Sequence, residues 1–198
     1  MTGPVAALIR HGDYHQLADT PSAHQPFPLN RQGRAHAQQA AKILGRATSR
    51  HGWQLLPSID SSRMLRAWQT ARIIADELAG SSASSPIVEE FDELAERGLG
   101  CAANLSVGRI AEILRQDPRH PDPPKNWKAD SHYRLPLQGA ESLLEAGQRV
   151  AAHLNSRMAG LPDGSLKLFV GHGAAFRHAA YHLGVLEFAQ IARLSMFH

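Results

Sequence analysis

Val5-Ala6-Ala7-Leu8-Ile9-Arg10-His11-Gly12 runs five apolar residues straight into a cation, an imidazole and a glycine. An unbroken apolar run, rather than an alternating one, fits a strand covered on both faces, as in a parallel sheet packed between helices. Leu166-Lys167-Leu168-Phe169-Val170-Gly171-His172-Gly173 is a second strand candidate that also ends in histidine and glycine. Between and after these runs the spacing predicts helices. Asn30 can cap one from Arg31 to about Arg50, with Ala35, Ala40, Ile43, Leu44 and Ala47 near helical spacing and Gly52 as terminator. Others are expected over Arg63 to Ala79, from Ser106 to the residue before Pro118, over Glu141 to Ala159, and over Ala174 to Leu183. Short strands are expected around Ile59 and at Ile87-Val88. Strands alternating with helices predict an α/β three-layer sandwich, its mostly parallel central sheet flanked by helices. Asp117 to Pro136 holds five prolines and is expected to be a long surface loop.

No internal repeat or domain boundary interrupts residues 1–198, so one domain is expected. At 198 residues roughly 70% of the unfolded surface can be buried, and a core needs no staple. The lone Cys101 excludes an internal disulfide, a two-cysteine redox pair and a cysteine-rich zinc site, and points to a reducing, cytoplasmic setting. Lys+Arg 21 against Asp+Glu 18 is too small an excess, without a basic run, to argue for nucleic acid. No apolar run approaches membrane-spanning length, and Met1-Thr2-Gly3-Pro4 lacks the basic start of a signal peptide.

Ligands of parallel α/β sheets bind beyond the carboxyl ends of the strands. That placement separates His11 and His172 from the other ten of 12 histidines. Arg50-His51-Gly52 repeats the tripeptide of Arg10-His11-Gly12 at an expected helix end, where Gly52 as a cap explains it. His178 and His182 are four apart, a metal-ligand spacing, but no carboxylate or third ligand accompanies them.

Four stretches in order carry a resemblance: Leu8 to Gly12; Ser61-Ser62-Arg63-Met64-Leu65-Arg66-Ala67-Trp68-Gln69-Thr70-Ala71; Leu94-Ala95-Glu96-Arg97-Gly98-Leu99-Gly100; and Val170 to Gly173. Together, from about residue 4 to residue 184, they resemble the histidine phosphatase superfamily, which includes the cofactor-dependent phosphoglycerate mutases. The resemblance implies a phosphoglycerate mutase-like fold, with His11 as the nucleophile that becomes phosphohistidine. Arg10 and Arg66 are implied as the phosphate clamp, His172 as the second histidine, and Glu96 as the proton donor and acceptor. Arg97 matches a substrate-contacting arginine of some mutases. A free amide at Gly173 would suit a phosphate oxygen at a helix N-terminus.

The chemistry is consistent with these roles. A phosphoryl group in transfer carries charge on three oxygens, which fixed cationic donors stabilise without a metal. The attacking imidazole needs a free lone pair, its other nitrogen an acceptor near Gly12, and the leaving alkoxide needs an acid. Asp13 and Glu93 compete with Glu96 for that last role. The run Asp13-Tyr14-His15-Gln16-Leu17 lacks the tryptophan and asparagine usual in mutases, so Gln16 or His15 replaces the asparagine contact.

The expectation is therefore a phosphatase acting on phosphorylated small molecules, with a mutase or a phosphoprotein phosphatase as alternatives and a non-catalytic phosphate-binding module as the rival class. No metal, nucleotide or other cofactor is implied, and no nucleic acid or membrane partner. The last strand usual in the family would begin near Leu194. Trp127, in the proline-rich loop, is a candidate border of the substrate site.

Overall fold

The computed structural model describes residues 3–21, 24–80 and 85–194. Four parallel strands, β1 (Val5–Arg10), β2 (Gln54–Ser62), β3 (Ile87–Phe91) and β4 (Ser165–Gly171), form one sheet in the order β1-β4-β2-β3. Six helices accompany them: α1 (Arg31–His51), α2 (Leu65–Ala79), α3 (Val107–Gln116), α4 (Leu143–Met158), α5 (Gly173–His182) and the short α6 (Phe188–Ile191).

Period-two alternation divides the strands between two cores. Val5, Ala7 and Ile9 of β1 and Leu166, Leu168 and Val170 of β4 pack with Ala41 of α1 and Ala67, Ala71, Ile74 and Ala75 of α2. On the opposite face Leu8 and Phe169 meet Val150, Ala151 and Leu154 of α4 and Ala175, Phe176 and Ala179 of α5. The expected three layers follow from this division.

Register brings the carboxyl ends of the strands together. Arg10 pairs with Gly171, Ser61 with Val170, and Ser62 with Phe91. His11, His172 and Ser62 therefore emerge side by side, and the chain leaving β3 turns through Asp92–Leu94 toward Glu96.

Several local expectations need correction. α1 buries Gly33, Ala37 and Ala41, whereas Ala35 is exposed and Ile43 is 56% exposed. Gly33 lies against the Asp13 backbone and Ala41 packs with α2, so small residues and not the large Ile43 face inward. β2 is longer than a short strand around Ile59, and its pairing with β4 shifts between Leu55 and Ile59, around the N–H-lacking Pro57. Residues 117–136 do lack helix and strand, but they are not merely a surface loop. Trp127 and Leu135 are buried with Leu99, Ala102, Ile110, Leu114 and Ala140 in a third, smaller core. The expected last strand lies mostly outside the described residues.

Candidate functional site

His11 follows β1 directly, and its ring is locked at both nitrogens. Nδ1 donates to the carbonyl of Gly12 at 2.8 Å, while Nε2 accepts from Nε of Arg66 at 3.2 Å. Arginine has only donors, so this pairing leaves the lone pair of His11 on Nε2. His172 follows β4, and the two imidazole centres stand 5.1 Å apart. Nη2 of Arg66 lies 3.3 Å from Nδ1 of His172, and Nε2 of His172 lies 3.0 Å from Oγ of Ser62. By the same reasoning Nδ1 of His172 accepts and its Nε2 donates to the serine. Burial, then Arg66 and His11, hold the pKa of His172 well below the usual histidine value.

One guanidinium thus bridges both imidazoles. Arg66 is fully buried, donates through Nη1 to the carbonyl of Gln25 at 2.8 Å, and lies with Cζ 4.6 Å above the Tyr14 ring. α2 presents the rest of its motif on the same face. Gln69 accepts from the Leu29 amide at 2.7 Å, and Oγ1 of Thr70 accepts from the Gly12 amide at 3.0 Å. Gly12 is required for close approach, because a Cβ there would sit 2.2 Å from the Gly33 carbonyl oxygen. Arg10, the last residue of β1, is partly buried; burial lowers its pKa, against the pull of Glu96.

Glu96 sits against the first turn of α5. Its Oε1 accepts from the amides of Arg97 and Ala175 at 3.0 Å each, and its Oε2 from Ala174 at 3.3 Å. The helix N-terminus therefore holds this carboxylate. Of its competitors, Asp13 is tied through Oδ2 to Nδ2 of Asn30 at 2.8 Å, and Glu93 is exposed.

Beside Glu96 opens a cleft of about 760 Å³ that Gln16 and Arg97 also line. Nε2 of Gln16 donates to the Thr20 carbonyl at 3.1 Å. Gly173 begins α5, next to the two amides that Glu96 engages. Trp127 is buried beneath Arg97 and is not part of the cleft wall. His178 and His182 point to different partners: Nε2 of His178 accepts from Ser131 at 3.0 Å, and Nε2 of His182 lies 3.0 Å from the Leu144 carbonyl. Among the described residues no group of three His, Cys, Asp or Glu could hold a metal ion, and no helix is long and apolar enough to cross a membrane.

With this geometry in place, a family model described as the histidine phosphatase superfamily (branch 1) matches residues 6–198. The chain belongs to that superfamily. Among solved structures it is similar to a mycobacterial glucosyl-3-phosphoglycerate phosphatase in complex with VO3, at 23% identity and TM-score 0.69, covering 95% of this chain and 85% of that one. It is also similar to a phosphoserine phosphatase from Entamoeba histolytica in complex with 3-phosphoglyceric acid, at 16% identity and TM-score 0.59, covering 97% and 85%. No curated protein sequence matches.

Within this superfamily member, several supporting residues escape the sequence reading. Gln25 is fully buried and holds its loop through the Leu17 amide and the Thr20 carbonyl. Arg149 pairs with Glu141 at 2.8 Å and donates to the carbonyls of Glu93 and Ala95, fixing the segment that ends in Glu96. Glu141 in turn accepts from the Gly98 amide at 2.9 Å. Ser142, next to Glu141, forms a capping box with Glu145 at the start of α4.

Proposed function

We propose that this chain hydrolyses phosphomonoesters through a phosphohistidine on Nε2 of His11. The observation that carries the reading is Arg66 bridging two imidazoles 5.1 Å apart, with the His11 lone pair facing the guanidinium. A phosphoryl group entering there exchanges the Arg66–imidazole contacts for oxygen contacts. Nε2 attacks phosphorus, the ester P–O bond breaks, and Arg10, Arg66 and His172 hold the three equatorial oxygens. Glu96 in its acid form protonates the departing alkoxide. It then takes a proton from the water that breaks the P–N bond. Oε2 is the better placed oxygen for this, since it accepts only the longer amide bond from Ala174.

His172 must then present an N–H at Nδ1, where it now accepts. Ser62 permits this without adding charge: its hydroxyl can reverse and donate to Nε2, while Oγ still accepts from the Met64 amide at 3.3 Å. In Ser62→Ala that nitrogen is left buried and unmet, which costs ~1–3 kcal/mol. The expected result is a fall in kcat/KM of about 10- to 100-fold, because the tautomer with N–H at Nδ1 then has no partner for Nε2. Ser62→Thr is expected to restore most of it. A loss that only tracks a lower Tm, with no recovery in Ser62→Thr, would assign Ser62 to stability alone.

The substrates in this reading are phosphorylated small molecules, and the setting is cytoplasmic, supported by the single cysteine. Both named neighbours are phosphatases, which supports hydrolysis over isomerisation. The test is a screen of phosphorylated metabolites and phosphopeptides with chelator present, run beside a phosphoglycerate isomerisation assay. Hydrolysis of small esters with no metal added is expected. Strict dependence on added magnesium, or isomerisation faster than hydrolysis, overturns the reading.

A further inference from the structure

Tyr14 packs against both the nucleophile and the guanidinium beside it. Its ring meets that of His11 edge-on, with centres 5.4 Å apart, and carries Cζ of Arg66 4.6 Å above its face. The main chain fixes this placement, because Tyr14 pairs with Leu29 in an isolated antiparallel bridge next to Asn30, the cap of α1. The side chain is only 8% exposed, and its hydroxyl is enclosed without a hydrogen-bond partner among the described residues. A buried phenol in that state is costly, since the hydrogen bonds of water are lost and none replaces them.

The surroundings explain why no acceptor meets it. Those that Arg66 touches are taken by Arg66: the Gln25 carbonyl accepts from Nη1, Nε2 of His11 from Nε, and Nδ1 of His172 from Nη2. What else lies near Tyr14 is cationic. Burial lowers the pKa of Arg66 and of Arg10, and Tyr14 is among the groups that oppose this, so both clamp arginines lie within its electrostatic reach. Guanidinium groups only donate, so neither can accept the phenolic hydrogen. The two residues that follow do not compete for the position: His15 is exposed, and Nε2 of Gln16 is tied to the Thr20 carbonyl. The missing acceptor is therefore an oxygen that arrives with the anion these arginines attract.

We propose that the Tyr14 hydroxyl donates a hydrogen bond to an equatorial oxygen of the phosphoryl group in transfer at His11, as a further catalytic residue beside Arg10, Arg66 and His172. This contact rests on the phosphatase reading and adds a neutral donor to a cationic clamp. Each phosphoryl oxygen has more than one lone pair, so a fourth donor displaces none of the others. No proton changes hands, and the phenol keeps its hydrogen from binding through cleavage of the P–N bond. The unmet hydroxyl costs stability by itself, and a charge-assisted O–H···O⁻ bond offsets that cost once the anion is bound.

The experiment uses Tyr14→Phe, which removes the oxygen and keeps the ring under Arg66. Its kcat/KM is expected to fall about 10- to 100-fold, the range for one charge-assisted hydrogen bond. The fall is expected to be alike for an n-alkyl phosphate and for p-nitrophenyl phosphate, because the oxygen contacted is transferred and not released. Tm is expected to stay the same or rise, since an unmet buried polar group has gone. Calorimetric titration of inorganic phosphate into His11→Ala, with and without Tyr14→Phe, reads the contact without turnover, and binding about 10-fold weaker is expected in the double variant. Turnover and phosphate affinity that are both unchanged in Tyr14→Phe overturn the proposal and leave the phosphatase reading standing, as does a loss confined to one leaving group. A fall in kcat/KM that comes with a lower Tm assigns the oxygen to structure and overturns the proposal too. If the unaltered protein hydrolyses neither ester while phosphate binding still weakens, the phosphatase reading fails and the Tyr14 contact stands.

Discussion

His11→Ala is expected to lower phosphomonoester turnover by about 10⁴-fold or more, and to abolish a phosphoenzyme that is acid-labile and base-stable. The size follows from what alanine removes. His11 is 5% exposed, with Nδ1 held by the Gly12 carbonyl and Nε2 turned to Arg66, so no solvent-borne group stands in the same position. His172 does not take over in this reading, because its ring is fully buried and its lone pair on Nδ1 is turned to Arg66. His172→Ala should therefore still form some phosphoenzyme, more slowly, since it loses an oxygen contact rather than the attacking atom. Rapid-quench trapping with a radiolabelled substrate measures both variants, and a thermal melt checks that each is folded. Trapped phosphate that persists in His11→Ala and vanishes in His172→Ala would exchange the two roles. Turnover within ten-fold of the unaltered protein in both would remove covalent catalysis altogether.

The parts of this site that the sequence disclosed are those carried by local pattern. Continuous apolar runs marked β1 and β4 because both faces are covered, and the residue after such a run sits at a strand's carboxyl end, which located His11 and His172. Asn30, Ser106 and Gly52 marked helix ends through capping chemistry: Asn30 and Ser106 each accept from the amide three residues on, and Gly52 has φ +66°. That φ also accounts for Arg50-His51-Gly52 as a helix end.

What stayed hidden depends on distant partners. Ile43 is the most apolar residue of its turn, yet small residues win the contact with α2, a choice made by interhelical distance and not by hydropathy. The prolines of residues 117–136 exclude regular structure correctly, but they say nothing of a core built around Trp127 and Leu135. Arg149 reads as one more charge on an amphipathic helix. Only the fold brings it to the carbonyls before Glu96.

The buried charge cluster around Asp60 is the extreme case, joining residues from β2, β3, β4 and α4, and it supports a second large prediction. Asp60 is fully buried on β2. Its Oδ2 accepts from Nε of Arg157 at 2.8 Å and Nε2 of His153 at 3.0 Å, and its Oδ1 from Nζ of Lys167 at 2.6 Å. Arg157 reaches on to Glu89 of β3, and Lys167 to the Ser58 hydroxyl at 2.7 Å. Asp60→Asn leaves Lys167, 3% exposed, without its carboxylate, so a loss of about 3–5 kcal/mol is expected. For a chain of this size that is a fall in Tm of roughly 10 °C. Replacing both charges, as in Asp60→Leu with Lys167→Met, should recover much of the loss, because Arg157 is 34% exposed and retains Glu89.

The same carboxylate has a pH signature. Burial alone would raise its pKa, but hydrogen bonds from His153, Arg157 and Lys167 outweigh burial and lower it from 3.8 to about 2. A folded-state pKa below the unfolded value means that the unfolded chain binds the proton more tightly. The stabilisation, on the order of 2 kcal/mol, is therefore full above about pH 4 and is lost as pH falls through 2. Urea unfolding at pH 5, 4 and 3 should show the gap between the unaltered protein and Asp60→Asn narrowing with acid. A gap that is constant, or that widens, would mean that the network's protonation is not linked to folding. A Tm change under about 2 °C at pH 7 would mean that Lys167 and Arg157 find other partners without cost.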